Sequence, residues 1–456
     1  MKIGHLLLAA SAGLVLAAHP ASARTLQVGT CKDAQVTFST IQEAIDVAFV
    51  HDKITVCPGN YPEQVVITKT LTLTNVKGFD NPVITVPAGG VVQNTTTLSG
   101  FPTAAQVLVQ PDTTANVTVR NIVVDGADNN VQTCGLQLVG VYYRNAGGTI
   151  QADTIKNQLL PEGYQGCQSG LGIYVQNANA GTDPVVITAN SVTNFNKNGI
   201  TMNEAAATGE ITRNTVVGMG PTDVIAQNGI QVAYGANADV ETNSVSNLIY
   251  SPGTYGAAGI LLYGTDASTS IVNHNTMNSA QYGAVLDAVN GTAGNRVQVT
   301  TNKIYNAQFA GVGLYSDGPS DDYINVSGNN IQNTSDYDGI DACSDNNTIT
   351  NNKMVNSSGE SAIHLDGLCA EPDNSQSGKN NTVSGNRVTN ACVGVLSGPA
   401  EGENTVGTNK YNSVQHQIVY GQDSYSCGPH HAPARHHAPK HSKGGPVPGA
   451  ISPVRR

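Results

Sequence analysis

The chain has 456 residues, of which 12% are charged and 5% aromatic, with 49 glycines and no tryptophan. Low charge and the scarcity of Leu-, Lys- and Glu-rich stretches exclude a mainly helical protein, and 39% hydrophobic residues exclude global disorder. A net charge of −11 argues against a nucleic-acid partner.

Residues 1–23 read as a secretory signal, with Lys2 at the start, an apolar stretch from Leu6 to Ala18, and Ala21-Ser22-Ala23 as the cleavage site. No later apolar run is long enough to span a bilayer. Residues 24–60 form a predicted cap and first strand. Ser39-Thr40 is a capping signal, and the apolar positions of Ile41 to Asp46 follow at helical spacing. Ile54-Thr55-Val56 then reads as a strand.

Residues 61–427 carry a recurring block, Val/Ile-x-x-Asn-x-apolar. One copy is Ile187-Thr188-Ala189-Asn190-Ser191-Val192. The others place their asparagine at Asn214, Asn243, Asn275, Asn302, Asn329, Asn352, Asn386 and Asn409, with Asp153 in a degenerate earlier copy. Successive asparagines lie 24, 29, 32, 27, 27, 23, 34 and 23 residues apart. A second block, Gly-Ile/Val/Ala, follows most of them, as at Gly199, Gly229, Gly259, Gly283, Gly311 and Gly339. Each repeat holds two or three short strands that cannot bury an apolar face alone, so neighbouring repeats must stack. The asparagine is expected where a strand turns, because its amide tolerates left-handed backbone and can bond the equivalent residue one coil away.

Eight cysteines, Cys31, Cys57, Cys134, Cys167, Cys343, Cys369, Cys392 and Cys427, lie after the signal. Structural disulfides suit an exported chain, and sequential pairing is the simplest arrangement for neighbouring coils. Residues 428–456 change composition abruptly, to five histidines and five Lys or Arg with no acid, and are expected to be a disordered basic tail. That tail suits contact with an anionic cell surface, metal capture by its histidines, or no more than solvation.

This pattern resembles the right-handed parallel β-helix of the pectin-lyase-like superfamily, over roughly residues 35 to 415. The resemblance implies an all-β solenoid of roughly ten to twelve coils with an N-terminal capping helix; Cys31 and Cys57 flank that helix and are candidates to staple it. Gly59-Asn60-Tyr61-Pro62-Glu63 looks like the opening of related periplasmic proteins.

Strand alternation then places the second and fourth residues after each glycine outward. One outward column reads Thr201, Gln231, Leu261, Val285, Gly313, Asp341, His364, Gly394; the other reads Asn203, Ala233, Tyr263, Asp287, Tyr315, Cys343, Asp366, Leu396. Asp341, His364, Asp366 and Tyr315 are the candidate catalytic residues. Tyr263, Asp287, Asp317 and Asp338 are the candidate substrate-binding residues. A histidine beside crowded carboxylates can exchange protons near neutral pH. The constellation looks like the Tyr, Asp, His, Asp set of alginate epimerases. Their Asp-Pro-His-Asp motif is absent, and the matching stretch reads Ile363-His364-Leu365-Asp366.

The function expected is a secreted or periplasmic enzyme acting on an acidic, uronate-containing polysaccharide by lyase or C5-epimerase chemistry. His364 would move the C5 proton and Tyr315 would protonate the leaving oxygen or the opposite face. Calcium held by Asp287, Asp341 or Asp366 would bridge to the substrate carboxylate and acidify that proton. Two alternatives stand beside it. Asp341 and Asp366 suit a hydrolase as paired carboxylates. Outward aspartates are also what a non-catalytic glycan-binding or structural solenoid presents to solvent.

Overall fold

The computed structural model describes residues 23–34, 36–251, 253, 255–265, 270–289, 291–315, 323–368, 378–428 and 440–441. Residues 1–22 of the expected signal, Asp317, Cys369 and most of the basic tail lie outside the described residues.

The described chain is a parallel β-helix. A 15-stranded sheet forms one wall, and the strands of a 22-stranded sheet form the others. In each late coil a short strand such as Val297–Thr300 is followed, after a two-residue turn, by a long bent strand such as Lys303–Tyr315. The short strands alternate: Val297 and Val299 are buried, whereas Gln298 and Thr300 are half-buried. Their register stacks like on like, with Val272 beside Val299, Val299 beside Val326, and Val326 beside Ile349. These rungs join one core that runs from Val28 to Val395.

The turn differs from the sequence expectation in one respect. The left-handed residue is not the repeated asparagine but the one before it: Ala189, Arg213, Thr242, His274, Thr301 and Asn351 all have positive φ. The asparagine serves instead through its side chain. Asn302 Nδ2 donates to Asn329 Oδ1 at 3.0 Å and to Val272 O at 2.9 Å. The same side-chain link joins Asn190 to Asn214, Asn214 to Asn243 and Asn243 to Asn275, each at 3.0 Å, and continues to Asn409. The side chains thus satisfy amides that the turn would otherwise bury unpaired.

A second asparagine file was not foreseen. Asn306, Asn333, Asn356 and Asn390 lie four residues after successive repeat asparagines, have positive φ, and mark the bend of the long strand. Their exposed amides are linked in series at 3.0 to 3.1 Å. A fixed spacing of four was the available signal.

The glycine block has a steric cause. A Cβ on Gly311 would lie 2.6 Å from Gly339 O and 2.5 Å from Ile331 Cγ2. Gly229, Gly259, Gly283 and Gly339 meet the next coil's backbone oxygen at 2.5 or 2.6 Å in the same way. These glycines exist because successive coils approach too closely for a side chain.

The helix Ile41–Val47 buries Ile41, Ala44 and Ile45 in the common core at the N-terminal end. Thr40 caps it in a capping box with Glu43, and Glu63 accepts the N–H groups of Ile41 at 2.8 Å and Gln42 at 3.0 Å. Three disulfides, Cys31–Cys57, Cys134–Cys167 and Cys392–Cys427, follow the sequential order. Cys343 is also disulfide-bonded. Lys440–His441 pairs in parallel with Tyr255–Gly256.

Candidate active site

The second arm of each long strand carries the candidate residues on the outside of the coil. Tyr315 ends Lys303–Tyr315, Asp338 and Asp341 lie on Asp338–Ala342, and His364 lies on Lys353–Leu365, with Asp366 directly after it. The expected register holds here: Gly313 pairs with Asp341, and Asp341 with His364. It slips by two residues at the next coil, where His364 pairs with Leu396 rather than Gly394. Ala362 stands where the other coils carry glycine, and on the next coil Gly394 holds that place, where a Cβ would lie 2.6 Å from Gln417 O.

Asp338 also belongs to this face. It precedes the close-packed Gly339, where side-chain alternation is interrupted, and it pairs with Ser361. Outward from the coil does not mean exposed. His364 and Asp338 have 0% exposure, Asp366 1%, Asp287 3%, Tyr315 6% and Asp341 9%. On one side the face continues as a small apolar cluster that includes Tyr282, Phe309, Tyr315 and Cys343.

Two hydrogen-bonded pairs form the centre. Tyr315 donates its hydroxyl to Asp341 Oδ2 at 2.7 Å. His364 Nδ1 lies 3.3 Å from Asp338 Oδ2. Asp338 Oδ1 accepts Ser361 N–H at 2.8 Å and Ser361 O–H at 2.7 Å. Asp366 Oδ1 accepts Leu368 N–H at 2.8 Å, and Glu360 Oε1 accepts Tyr425 N–H at 2.6 Å.

The electrostatics follow from crowding. Burial opposes the charge of His364, but the carboxylates of Asp366, Asp338 and Asp341 outweigh it and raise its pKa to about 10. His364 therefore holds a proton at neutral pH. Burial, then the charges of Asp366 and Asp338, raise Asp341 to about 7, against the His364 cation and the Tyr315 hydroxyl. Burial and the adjacent Asp341 push the Tyr315 phenol well above its ordinary value, so it stays a neutral donor.

The other candidates are placed differently. Tyr263 pairs with Asp287, and Asp287 with Tyr315, so both extend the face toward the N-terminus. Two sets of ligand-type atoms, each set lying within 4.8 Å of one another, share His364: Asp341, His364 and Asp366, and Asp338, Glu360 and His364. Asp287 is in neither, so Asp287, Asp341 and Asp366 do not come together as one calcium set among the described residues. Both sets share the nitrogen ligand His364, whereas calcium selects oxygen ligands. Arg144 bonds Thr96 O, Arg213 bonds Thr188, and Arg296 bonds Asn346 O, all away from the site. His274 is an exposed turn residue, and exposed His416 meets Tyr425. Ser361 and Glu360 were missed. The signal was the alignment of Ser361-Ala362-Ile363 with Asp338-Gly339-Ile340, hidden because alanine replaces glycine.

A family model described as "Right handed beta helix region" matches residues 113–331. That match agrees with the stacked parallel strands: the chain folds as a right-handed parallel β-helix. No curated protein matches the sequence. Several solved structures are similar. A double mutant of a periplasmic alginate epimerase is 12% identical, with a TM-score of 0.45 over 81% of this chain and 77% of that one. The A-module of a mannuronan C-5 epimerase from Azotobacter vinelandii is 13% identical, with a TM-score of 0.44 over 85% of this chain and 95% of that one. A family 28 exopolygalacturonase from Yersinia enterocolitica is 11% identical, with a TM-score of 0.47 over 88% and 79%. These are likenesses of architecture and assign no chemistry to this chain.

Proposed function

We propose that the chain is an exported enzyme that moves a proton at C5 of a uronate-containing polysaccharide, as a lyase or a C5-epimerase. The observation that carries this reading is the Tyr315–Asp341 hydrogen bond, beside the buried His364 cation on the next coil. The N-terminal apolar segment and the disulfides support export.

The burial pattern redistributes the roles expected from sequence. His364 is fully buried, whereas Asp341 and Tyr315 keep a small accessible surface. Asp341, titrating near pH 7, accepts the C5 proton in its ionised form. Tyr315 gives its proton to the leaving oxygen in a lyase; in an epimerase the hydrogen-bonded pair would have to part around the sugar so that Tyr315 protonates C5 from the opposite face. It regains a proton from Asp341 through their hydrogen bond. His364 does not touch the sugar; its cation holds Asp341 in the working range.

A hydrolase is the second reading, favoured by the proximity of Asp341 and Asp366, whose ligand atoms lie within 4.8 Å. That is nearer to the separation of about 5 Å in retaining glycosidases than to the wider inverting gap.

The test incubates the mature protein with a panel of uronate polysaccharides. It follows ultraviolet absorbance of unsaturated ends, new reducing ends, and C5 configuration by proton NMR. Unsaturation or C5 inversion, lost in Tyr315→Phe, supports the proposal. Reducing ends without unsaturation move the assignment to hydrolysis. No change in any readout leaves a glycan-binding or structural solenoid.

A further inference from the structure

Asp338 takes no direct part in the chemistry proposed above, yet it is among the most fully bonded side chains of the site. Its Oδ1 receives both donors of Ser361, the N–H at 2.8 Å and the O–H at 2.7 Å. Its Oδ2 faces His364 Nδ1 at 3.3 Å. All three residues have 0% exposure. Asp338 and Ser361 are paired in register on neighbouring strands, so the contact is fixed by the backbone rather than by a mobile side chain.

We propose that Ser361 and Asp338 are positioning residues: together they form a clamp that fixes a proton on Nδ1 of His364 and the orientation of its ring. With Oδ1 committed to Ser361, Asp338 has only Oδ2 left, and it aims this oxygen at one ring nitrogen. That oxygen accepts the hydrogen on the facing nitrogen of the imidazolium, holds the ring in place and sets which nitrogen keeps its hydrogen once the ring loses one, as an outer partner does for other functional histidines. The carboxyl groups that face His364 are Asp338, Asp341, Asp366 and Glu360. Of these, only Asp338 carries the Ser361 pair. The assignment rests on the reading of this cluster as a functional site, but its test needs no substrate.

Nitrogen-15 NMR of the histidine-labelled protein reads the ring directly. In the native protein, His364 shows a hydrogen attached to Nδ1 that exchanges slowly with water. Ser361→Ala speeds that exchange at least tenfold with the fold intact by circular dichroism, and Ser361→Thr restores it. Asp338→Asn lowers the pH at which the ring titrates. A His364 spectrum that is the same in Ser361→Ala, Asp338→Asn and the native protein overturns the clamp. That result would leave the proposed reaction standing. A catalytically silent protein with the predicted spectra would sink the reaction and leave the clamp.

Discussion

Tyr315 and Asp341 sit on adjacent coils, and the hydroxyl of one donates to the carboxylate of the other at 2.7 Å, with both side chains nearly buried. Phenylalanine at position 315 keeps the ring and removes the donor. Asp341 then loses an interaction that holds its pKa down, so its titration moves upward. The expected loss of turnover is about 10²–10⁴-fold, the usual contribution of one acid–base group. Steady-state kinetics of Tyr315→Phe on the polysaccharide found active checks this. A kcat within twofold of native would remove Tyr315 from the mechanism.

Replacing His364 by glutamine removes the cation that opposes the rise of the Asp341 pKa. The rising limb of kcat/KM against pH, expected to have its midpoint near 7 in the native enzyme, moves to higher pH. An unmoved limb, with activity simply reduced, would mean that His364 does not tune Asp341.

Both raised groups make the fold less stable as pH rises. His364 has a folded pKa of about 10 against an ordinary value of 6.5, so its stabilising share is complete below 6.5 and disappears as pH rises toward 10. Asp341 behaves in the same sense, with loss beginning above 3.8 and complete beyond about 7. The urea midpoint should therefore fall between pH 6.5 and 10, and His364→Gln should flatten that upper slope. A midpoint that climbs across this window would contradict the sign.

The buried asparagine file can be tested at its centre and its end. Asn302→Ala deletes two donors and the acceptor used by Asn275, leaving buried groups unpaired on both sides. With about 1–3 kcal/mol for each orphaned group, a loss of several kcal/mol is expected in urea unfolding. Asn409, which is half-buried at the final coil, should cost less. Equal costs would show that the file contributes little beyond its local turns.

Gly311→Ala forces a methyl against Gly339 O and Ile331, so about 1–3 kcal/mol of destabilisation is expected. Gly294→Ala, with nothing within 4 Å of the new Cβ, serves as the control. Thermal unfolding of the pair separates steric exclusion from a general intolerance of alanine.

The coil, the core-facing positions and the pairing of Asp341 with His364 were legible because alternation and a fixed block length are local properties of the chain. The turn was misread at Thr301 and Thr242. Sequence preference gives left-handed backbone to asparagine, but here the preceding β-branched residue takes it while Asn302 and Asn243 satisfy the buried amides. The depth of the site was not legible either. Outward pointing follows from periodicity, but the burial of His364 depends on what crosses the face, which periodicity does not encode. Ser361 escaped because its coil carries Ala362 in place of glycine.

Because each coil repeats the register of its neighbour, positions along the candidate face are quantised. Groups there stand whole strand spacings apart, each about 4.8 Å. The spacing from one repeat asparagine to the next ranges from 23 to 34 residues without disturbing that ruler. A chain of this design changes reach by gaining or losing entire links, and no smaller adjustment is open to it. Selection for a longer or shorter polymer would thus act in integer steps, and the charge at Asp341 could be refined without altering the gauge.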